Sequence, residues 1–281
     1  MAWNCINCLY LINNRDQFVL VMILLVLLSP FWAKTIRGIL RKQKLDRMYE
    51  DKHPIFDGIL ANSNPYYASL GSDGRERFLK RVLAFMECKD FQYIDLKPEE
   101  RMPLLVSGVA VQLTFGLENY LLDYFTTIYI LRDNYRYGSY NVPFEGHVSQ
   151  DGIYLSWNHF LQELSDYTDG QNLGLHEMAH ALTYVNFTVE EGRDNSFYLK
   201  FKNFSAIARP VFEKMQAGET NLLDPYAATD YQEFWAVSIE TFFERSAAFQ
   251  SQLPDLYLAL CKLLNQDPMS TEKLLSVLEP G

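Results

Sequence analysis

The chain has 281 residues, which is enough to bury a sizeable core in one domain and leave an additional segment. It carries 25 Lys and Arg against 35 Asp and Glu, and because six of the basic residues and one of the acidic ones precede residue 45, the remainder has 19 basic and 34 acidic residues. Such an acidic remainder argues against direct binding of nucleic acid.

The first predicted element is the apolar segment Phe18–Ala33, sixteen residues without a charged side chain. It is slightly shorter than the roughly 20 residues that span a bilayer, but Trp32 suits a membrane interface. Basic residues follow it, from Lys34 to Lys44, which is the reverse of a signal peptide. The sequence therefore predicts that residues 1–35 form a tail and a single-pass anchor in the cytoplasmic membrane, with the rest of the chain facing the cytoplasm. A signal peptide or a buried core helix is the alternative.

After the anchor we predict a basic, helical stalk and linker over residues 36–65 and an α+β domain over residues 66–281. Apolar periodicity predicts helices over 73–88 and 97–117, and alternation predicts strands over 91–96, 125–131 and 152–157. In the C-terminal part, the same apolar periodicity predicts helices over 205–215, 230–249, 254–264 and 271–277. Segment Ile153–Trp157 is expected either to pair with substrate backbone as an added strand or to be a core strand.

The most informative motif is His176-Glu177-Met178-Ala179-His180, a His-Glu-x-x-His pattern in an apolar segment that Asn172 can cap as a helix. Histidines four residues apart lie on one helical face and can bind one zinc ion, and the glutamate between them can reach a water on that zinc. Zinc lowers the pKa of such a water toward roughly 7. The motif therefore predicts hydrolysis by a zinc-activated water with Glu177 as general base. A chance match and a solvent-exposed helix are the alternatives, and the apolar flanks argue against the second.

A catalytic zinc site needs a third protein ligand. Because no histidine follows His180, we expect a carboxylate from the predicted helix 230–249. Glu233 and Glu240 lie seven residues apart on one face of that helix, and spacing alone leaves both open. Glu233 also has a structural interpretation, since Asp230 could cap the helix and place Glu233 in a capping box. Glu240 could simply face solvent.

Two segments, LGLHEMAHAL and DPYAATDYQEFWAVSIETFFE, occur in this order about fifty residues apart, with LKPEERMPLLVSGVAVQLTFGL and DGIYLSWNHF upstream. Together they resemble the Mlc titration factor A family of zinc peptidases, whose catalytic core is similar to the protease domain of anthrax lethal factor. The resemblance runs from about Gly74 to Phe249. It implies a gluzincin: an α+β, zincin-like domain with a small sheet, an HExxH helix and a helical C-terminal part.

The same resemblance implies the roles of individual residues. His176 and His180 would be the histidine ligands of one Zn²⁺ per chain, Glu177 the catalytic acid and base, and Glu233 the third ligand. Tyr226 takes the place of a tyrosine whose hydroxyl points into the zinc pocket, where it could donate to a developing oxyanion. It could equally be a packing tyrosine.

The chain departs from the family pattern at two positions. Met178 stands where the family has an aromatic residue, which is a volume-tolerant change in a core. Thr183 stands where the family has an aspartate that could orient a ligand histidine. The second difference raises the question of what supports the site.

We therefore expect a membrane-anchored zinc metallopeptidase acting on peptide or protein substrates, with a regulatory protein partner also implied. The alternative is a regulatory binding protein of the same fold that sequesters a partner such as a transcriptional repressor, because members of the family bind one. A structural zinc site would need four protein ligands, and the sequence offers three, which favours catalysis. Hydrolysis of a non-peptide amide is a third possibility.

Overall fold

The computed structural model describes residues 14–138, 142–189 and 193–269; within the first helix it describes the side chains of residues 22–23, 32–33 and 35 onward. This helix, α1, spans Asn14–Ser63. The chain divides into two compact units, one ending at Met48 and the other beginning at Tyr49. The predicted boundaries at residues 35 and 65 stay predictions.

The predicted anchor, Phe18–Ala33, falls inside α1, and most of its side chains lie outside the described residues. In the part of the chain that the structure describes, no helix is both long enough and apolar enough to cross a membrane. Cys5 and Cys8, which form a CxxC pattern ahead of this segment, also lie outside the described residues.

The unit from Tyr49 onward is α+β, as predicted. Its helices after α1 are α2 (Pro65–Ser69), α3 (Ser72–Cys88), α4 (Arg101–Thr114), α5 (Trp157–Glu163), α6 (Leu173–Thr183), α7 (Asn195–Gln216), α8 (Tyr231–Glu244), α9 (Ser246–Gln252) and α10 (Pro254–Leu264). A π-helix, Tyr184–Thr188, directly continues α6, and a 3₁₀-helix, Pro225–Ala228, precedes α8.

The sheet of this unit is mixed, with strand order β1-β2-β4-β3. Its strands are β1 (Asp90–Ile94), β2 (Thr127–Leu131), β3 (Gly146–Ser149) and β4 (Gly152–Ser156). β1, β2 and β4 run parallel, and β3 closes an antiparallel hairpin with β4. Ile153 in β4 faces Ile128 on one side and Val148 on the other. The hypothesis that Ile153–Trp157 receives an added strand is therefore wrong, because β4 is paired on both sides and β3 is the edge.

Helix α6 lies at the centre of the unit, in contact with α4, α5, α8, β3 and β4. Its close approach to neighbouring elements depends on Gly174, since a Cβ there would lie 2.6 Å from the ring of Phe160 and 3.0 Å from Val109. Leu175, Met178 and Ala179 are fully buried. The helix that carries the motif is therefore held on several sides, as the apolar flanks predicted.

The structure differs from the predicted elements where local patterns are weak. α7 begins at Asn195, ten residues earlier than predicted, because the Asp194 side chain accepts hydrogen bonds from Ser196 N and Phe197 N. The predicted helix 230–249 is two helices that break at Arg245, where φ is −122°. Strand β3 was missed, since it has four residues and no buried side chain to set an alternation. The predicted helix 271–277 lies outside the described residues.

Candidate metal and catalytic site

Helix α6 presents the two histidines of the motif on one face. The Asn172 side chain caps the helix by accepting a hydrogen bond from Leu175 N at 2.9 Å, which satisfies one of the free N–H groups of the first turn. His176 and His180 follow one turn apart, with their rings 4.7 Å apart between centroids and their Nε2 atoms separated by 3.1 Å. The i, i+4 geometry predicted from the sequence is therefore present.

Helix α8 presents Glu233 to the same place. Asp230 caps α8, accepting hydrogen bonds from Gln232 N at 2.8 Å and Glu233 N at 3.0 Å. Trp235, one turn into the helix, donates from Nε1 to the backbone oxygen of Ala179 at 2.9 Å, so α8 is fixed against the stretch between the two histidines. The capping interpretation and the site interpretation of this helix start are thus compatible, because the cap uses Asp230 and leaves the Glu233 side chain free to turn inward.

The geometry of these three side chains fits one metal ion. Glu233 Oε2 lies 3.0 Å from His176 Nε2 and 3.6 Å from His180 Nε2. A tetrahedral zinc site with bonds of about 2.0 to 2.1 Å separates its ligand atoms by roughly 3.3 Å, and the three observed separations, including 3.1 Å between the imidazole nitrogens, scatter about this value. Glu233 Oε2 is buried, and the two imidazole nitrogens lie beside it. A cation shared by the three atoms would stabilise a carboxylate oxygen buried at this point.

Glu177 lies beside this group and is 4% exposed. Its Oε2 atom is buried and, in the described residues, has no hydrogen-bond partner. The backbone of β3 passes directly over the carboxylate, since a Cβ at Gly146 would lie 2.5 Å from Glu177 Oε1. A glycine is therefore required at this point of the edge strand if the carboxylate is to keep its position.

Glu240, the other carboxylate that spacing had left open, contacts the opposite nitrogen of the same imidazole. Its Oε1 lies 2.7 Å from His176 Nδ1, and its Oε2 accepts a hydrogen bond from Asn172 N at 2.8 Å. A carboxylate on the outer nitrogen fixes the tautomer and orientation of a ligand histidine. Glu240 thus supplies the support that Thr183 cannot. Its spacing of seven residues from Glu233 was a usable signal, but no sequence pattern assigned it to His176 Nδ1.

Two further carboxylates extend this support toward the start of α6. Glu244 accepts hydrogen bonds from Asn172 Nδ2 at 2.9 Å and from Gly170 N at 3.1 Å. Glu163, at the end of α5, accepts one from Leu173 N. As hydrogen-bond acceptors for groups at and just before the helix N-terminus, these side chains hold the start of α6 in place. The sequence did not identify either of them.

Tyr226 lies at the mouth of the site, in the 3₁₀-helix. Its ring centroid is 6.3 Å from that of His176, and the residue is 54% exposed. Burial, and after it the charge of Glu233, raises the pKa of Tyr226, so its hydroxyl stays protonated and can donate. The structure brings Tyr226 near the histidines, while its assigned role stays a prediction.

The protein environment also shifts the pKa of the acidic groups. Burial raises the pKa of Glu177 to about 7, although the imidazoles of His176 and His180 act in the opposite direction. Burial would likewise raise the pKa of Glu233, but the close imidazoles outweigh it and hold the value at about 2. Burial lowers the pKa of His176, and its contacts with Glu233 and Glu240 raise it well above the ordinary value. These side chains therefore form one electrostatically coupled group.

Two cavities meet at this group and share Phe144, Gly146, His176, Glu177 and Tyr226. The first, with a volume of about 430 Å³, we call the aromatic pocket; beyond the shared residues its walls include Tyr184, Phe187, Phe201, Tyr231 and Trp235. The second, about 470 Å³, we call the acidic cavity; its walls include Glu145, Glu163, Asp224 and Glu240. The candidate site is therefore open on two sides of different chemical character.

Comparison with known proteins adds family context to this geometry. A sequence profile of the glucose-regulated metallopeptidases M90 matches residues 40–264. An uncharacterized protein of Synechocystis sp. is 26% identical over 241 residues, which cover 77% of this chain and 85% of that protein. Mlc titration factor A of Pectobacterium atrosepticum is 30% identical over 132 residues, 44% of this chain and 48% of that protein. The same protein of Escherichia coli is 28% identical over 131 residues, 43% of this chain and 47% of its own length. The chain thus matches about half the length of Mlc titration factor A.

Proposed function

The chain belongs to the glucose-regulated metallopeptidase family M90, whose profile covers residues 40–264, and from this premise we propose that it is a zinc-dependent peptidase. The family implies a metal, and the resemblance to Mlc titration factor A that the sequence indicated is confirmed. Zinc as the ion, peptide hydrolysis as the reaction and the roles of individual residues are parts of the proposal.

The observation that carries the proposal is the convergence of three side chains on one point. His176 Nε2, His180 Nε2 and Glu233 Oε2 come from helices far apart in sequence, and they lie within 4.8 Å of one another. Imidazole nitrogen and carboxylate oxygen are ligands that zinc accepts readily, and three protein ligands leave a coordination position open for water or substrate. An open position is what separates a catalytic zinc site from a structural one.

The protein side chains would then perform the proton transfers of hydrolysis. A bound zinc ion supplies Lewis acidity, by which it polarises a carbonyl oxygen and acidifies a water molecule. Glu177 takes the proton of the attacking water and delivers it to the leaving amine. Tyr226 donates a hydrogen bond from its hydroxyl to the oxygen on which negative charge develops. Glu240 keeps the His176 ring in the orientation that binding requires.

The experiment is a comparison of the full-length wild type, purified in mild detergent, with Glu177→Gln. We expect about one zinc per chain in both, measured by atomic absorption, because Glu177 is not a ligand. Peptide cleavage should fall by 10²-fold to 10⁴-fold in the variant, which is the usual contribution of a general base. Equal activity in the two proteins would reject the assigned base, and a wild type that binds no zinc would reject the proposal.

A second candidate function is regulatory binding of a protein partner. It is favoured by one observation, that relatives named Mlc titration factor A match 43–44% of this chain. In that case the partner would be a protein such as a transcriptional repressor, and Glu177→Gln would bind it as well as the wild type does. Loss of peptide cleavage without loss of partner binding would separate the two functions.

Attachment to a membrane through Phe18–Ala33, with the unit from Tyr49 onward on the cytoplasmic side, is a further part of the proposal and is supported by the sequence alone. Cell fractionation tests it. The full-length chain should sediment with membranes and require detergent for release, and release by high salt would contradict an anchor.

A further inference from the structure

The aromatic pocket begins where α6 changes into a π-helix. Residues Tyr184–Thr188 follow the second histidine directly, and the wider turn is closed by the hydrogen bond from Val189 N to Tyr184 O at 3.2 Å. π-Helices are rare and frequently lie at functional sites. Here the turn leaves Phe187 43% exposed, a large apolar side chain at the rim of a cavity that reaches the histidines.

This turn is fixed to the start of α7 by a buried amide. Asn186 is 2% exposed; its Nδ2 donates to Leu182 O at 2.8 Å, and its Oδ1 accepts from Asp194 N at 3.0 Å. Asp194 in turn caps α7. The π-helix and α7 are thereby held together, so the pocket wall that they form is preorganised rather than created by a ligand.

The wall itself is a continuous row of aromatic rings. Phe187 lies 4.7 Å from Phe201 between ring centroids, and Phe201 lies 5.3 Å from Trp235 in an edge-to-face arrangement. Trp235 is 1% exposed and donates its indole N–H to Ala179 O, so it supports Phe201 rather than offering surface of its own. Aromatic surface of this kind favours large apolar side chains and gains further from edge-to-face contact with another ring.

The pocket lies on a defined side of the edge strand. In β3, Gly146 lies over Glu177, and His147 and Val148 line the aromatic pocket. Val142, Pro143 and Glu145 line the acidic cavity, and Phe144 lines both cavities. An extended peptide added antiparallel to β3 runs in the opposite direction. Its residues before the scissile bond would therefore lie along His147 and Val148, beside the aromatic pocket.

From these observations, and resting on the proposed peptidase function, we propose that the aromatic pocket selects substrates by a large aromatic or aliphatic side chain on the N-terminal side of the scissile bond. Phe187 and Phe201 form the surface that contacts this side chain, and the buried Trp235 supports Phe201. The substrate class is then an extended peptide segment that exposes Phe, Tyr, Leu or a similar residue, and cleavage occurs on its C-terminal side.

The test uses full-length, zinc-loaded protein in mild detergent and blocked decapeptides of Gly, Ala and Ser in which one central position is Phe, Leu, Ala, Asp or Lys. Mass spectrometry identifies the bond that is cut, and fluorescence quenching gives kcat/KM. We expect cleavage after Phe or Leu to be at least about 10-fold faster than after Ala, since even one methylene in an apolar pocket changes selectivity by about 10-fold or more. Equal rates, or cleavage before the Phe, would overturn the proposal.

Two variants identify the residues responsible. Phe187→Ala should lower the Phe-to-Ala ratio of kcat/KM by about 3-fold to 10-fold, because the Phe peptide loses more contact than the Ala peptide does. Thr188→Asp, which puts a charge at the exposed rim without removing a ring, should lower the same ratio and favour the Lys peptide. The control is Leu199→Ala on α7, which is 61% exposed and outside the pocket. An unchanged ratio in both variants would contradict the assignment.

A peptide-binding measurement separates this inference from the proposed function. Zinc-loaded Glu177→Gln is titrated with fluorescein-labelled Phe and Ala peptides, with and without Phe187→Ala, and anisotropy gives Kd. If no peptide is cleaved by the wild type, the peptidase proposal fails, whereas tighter binding of the Phe peptide that depends on Phe187 still supports the pocket. Cleavage without any preference, or binding equal for both peptides, refutes the pocket assignment alone.

Discussion

The two nitrogens of the His176 ring face regions of opposite character. On the Nδ1 side, Glu240 is bonded both to the ring and to Asn172 N, and Glu244 and Glu163 accept from the backbone around it. On the Nε2 side, Glu177 Oε2 is buried without a hydrogen-bond partner among the described residues, and Glu233 Oε2 lies 3.0 Å from the ring nitrogen itself. A carboxylate whose oxygens accept hydrogen bonds from the protein stabilises the fold, whereas a buried carboxylate oxygen without such a donor is available to a ligand. Burial alone therefore does not separate the two groups of carboxylates, whereas their hydrogen-bond partners do.

Removal of one carboxylate from each side of the His176 ring tests this distinction most directly. Glu233→Ala should lose zinc affinity by more than the 10-fold to 100-fold expected for Glu240→Ala, because Glu240 acts only through His176. Zinc affinity is measured by competition with a chromogenic chelator, and circular dichroism checks that both variants are folded. The reverse order would make Glu240 the ligand and Glu233 the support.

A glycine offers a test of Glu177 that leaves the carboxylate in the chain. A Cβ at Gly146 would lie 2.5 Å from Glu177 Oε1, so Gly146→Ala must displace that carboxylate. We expect roughly a 100-fold loss of kcat, since a misplacement of about 1 Å can cost that much, with zinc content unchanged. The matched control is Gly58→Ala in α1, where a Cβ meets nothing within 4 Å. Full activity of Gly146→Ala would show that Glu177 is not held where the reaction needs it.

The weakest of these effects concerns Glu163, which lies on the Nδ1 side of the His176 ring. Burial raises the pKa of Glu163 to about 7, whereas in the unfolded chain it ionises near about 4.3. Between these values the folded state binds more protons, so this group makes the free energy of unfolding fall as pH rises. Metal-free Glu163→Gln should therefore be more stable than metal-free wild type at pH 8, by about 1 to 3 kcal/mol after allowance for partial exposure, and nearly equal to it at pH 5.

Urea denaturation at several pH values measures this difference. Glu118→Gln, at an exposed glutamate, is the control and should follow the wild-type curve at every pH. A constant difference between Glu163→Gln and the wild type from pH 5 to pH 8 would contradict the role assigned to burial at Glu163.

Local sequence patterns predicted those parts of the site that lie on single helices. The spacing of His176 and His180, the caps at Asn172 and Asp230, and the choice of Glu233 or Glu240 from one helical face all follow from short-range periodicity. The partition of roles between these two glutamates does not. It depends on which ring nitrogen each one reaches, and that is decided by the packing of α8 against α6 through Trp235.

The parts that could not be predicted are short or nonlocal. β3 has four residues and a uniform, intermediate burial, so no alternation reveals it, and without it Ile153–Trp157 looked like the strand available for pairing. The π-helix has no composition that distinguishes it from an α-helix, and its Asn186 bonds both to Leu182 O, four residues earlier, and to Asp194 N, eight residues later. Glu163 and Glu244 act on backbone N–H groups at least ten residues away in sequence, and single-sequence periodicity contains no information about such contacts.

The supply of ligands by two separate helices has a mechanical consequence. Fifty-two residues lie between His180 and Glu233, and they include the π-helix, α7 and the turn that carries Tyr226. An ion that joins α6 to α8 acts as a cross-link that closes this loop, and such closure restricts the chain more than any single contact inside it. Removal of the metal would therefore loosen the walls that bind the substrate as well as abolish catalysis. Substrate recognition and reactivity would then be lost together.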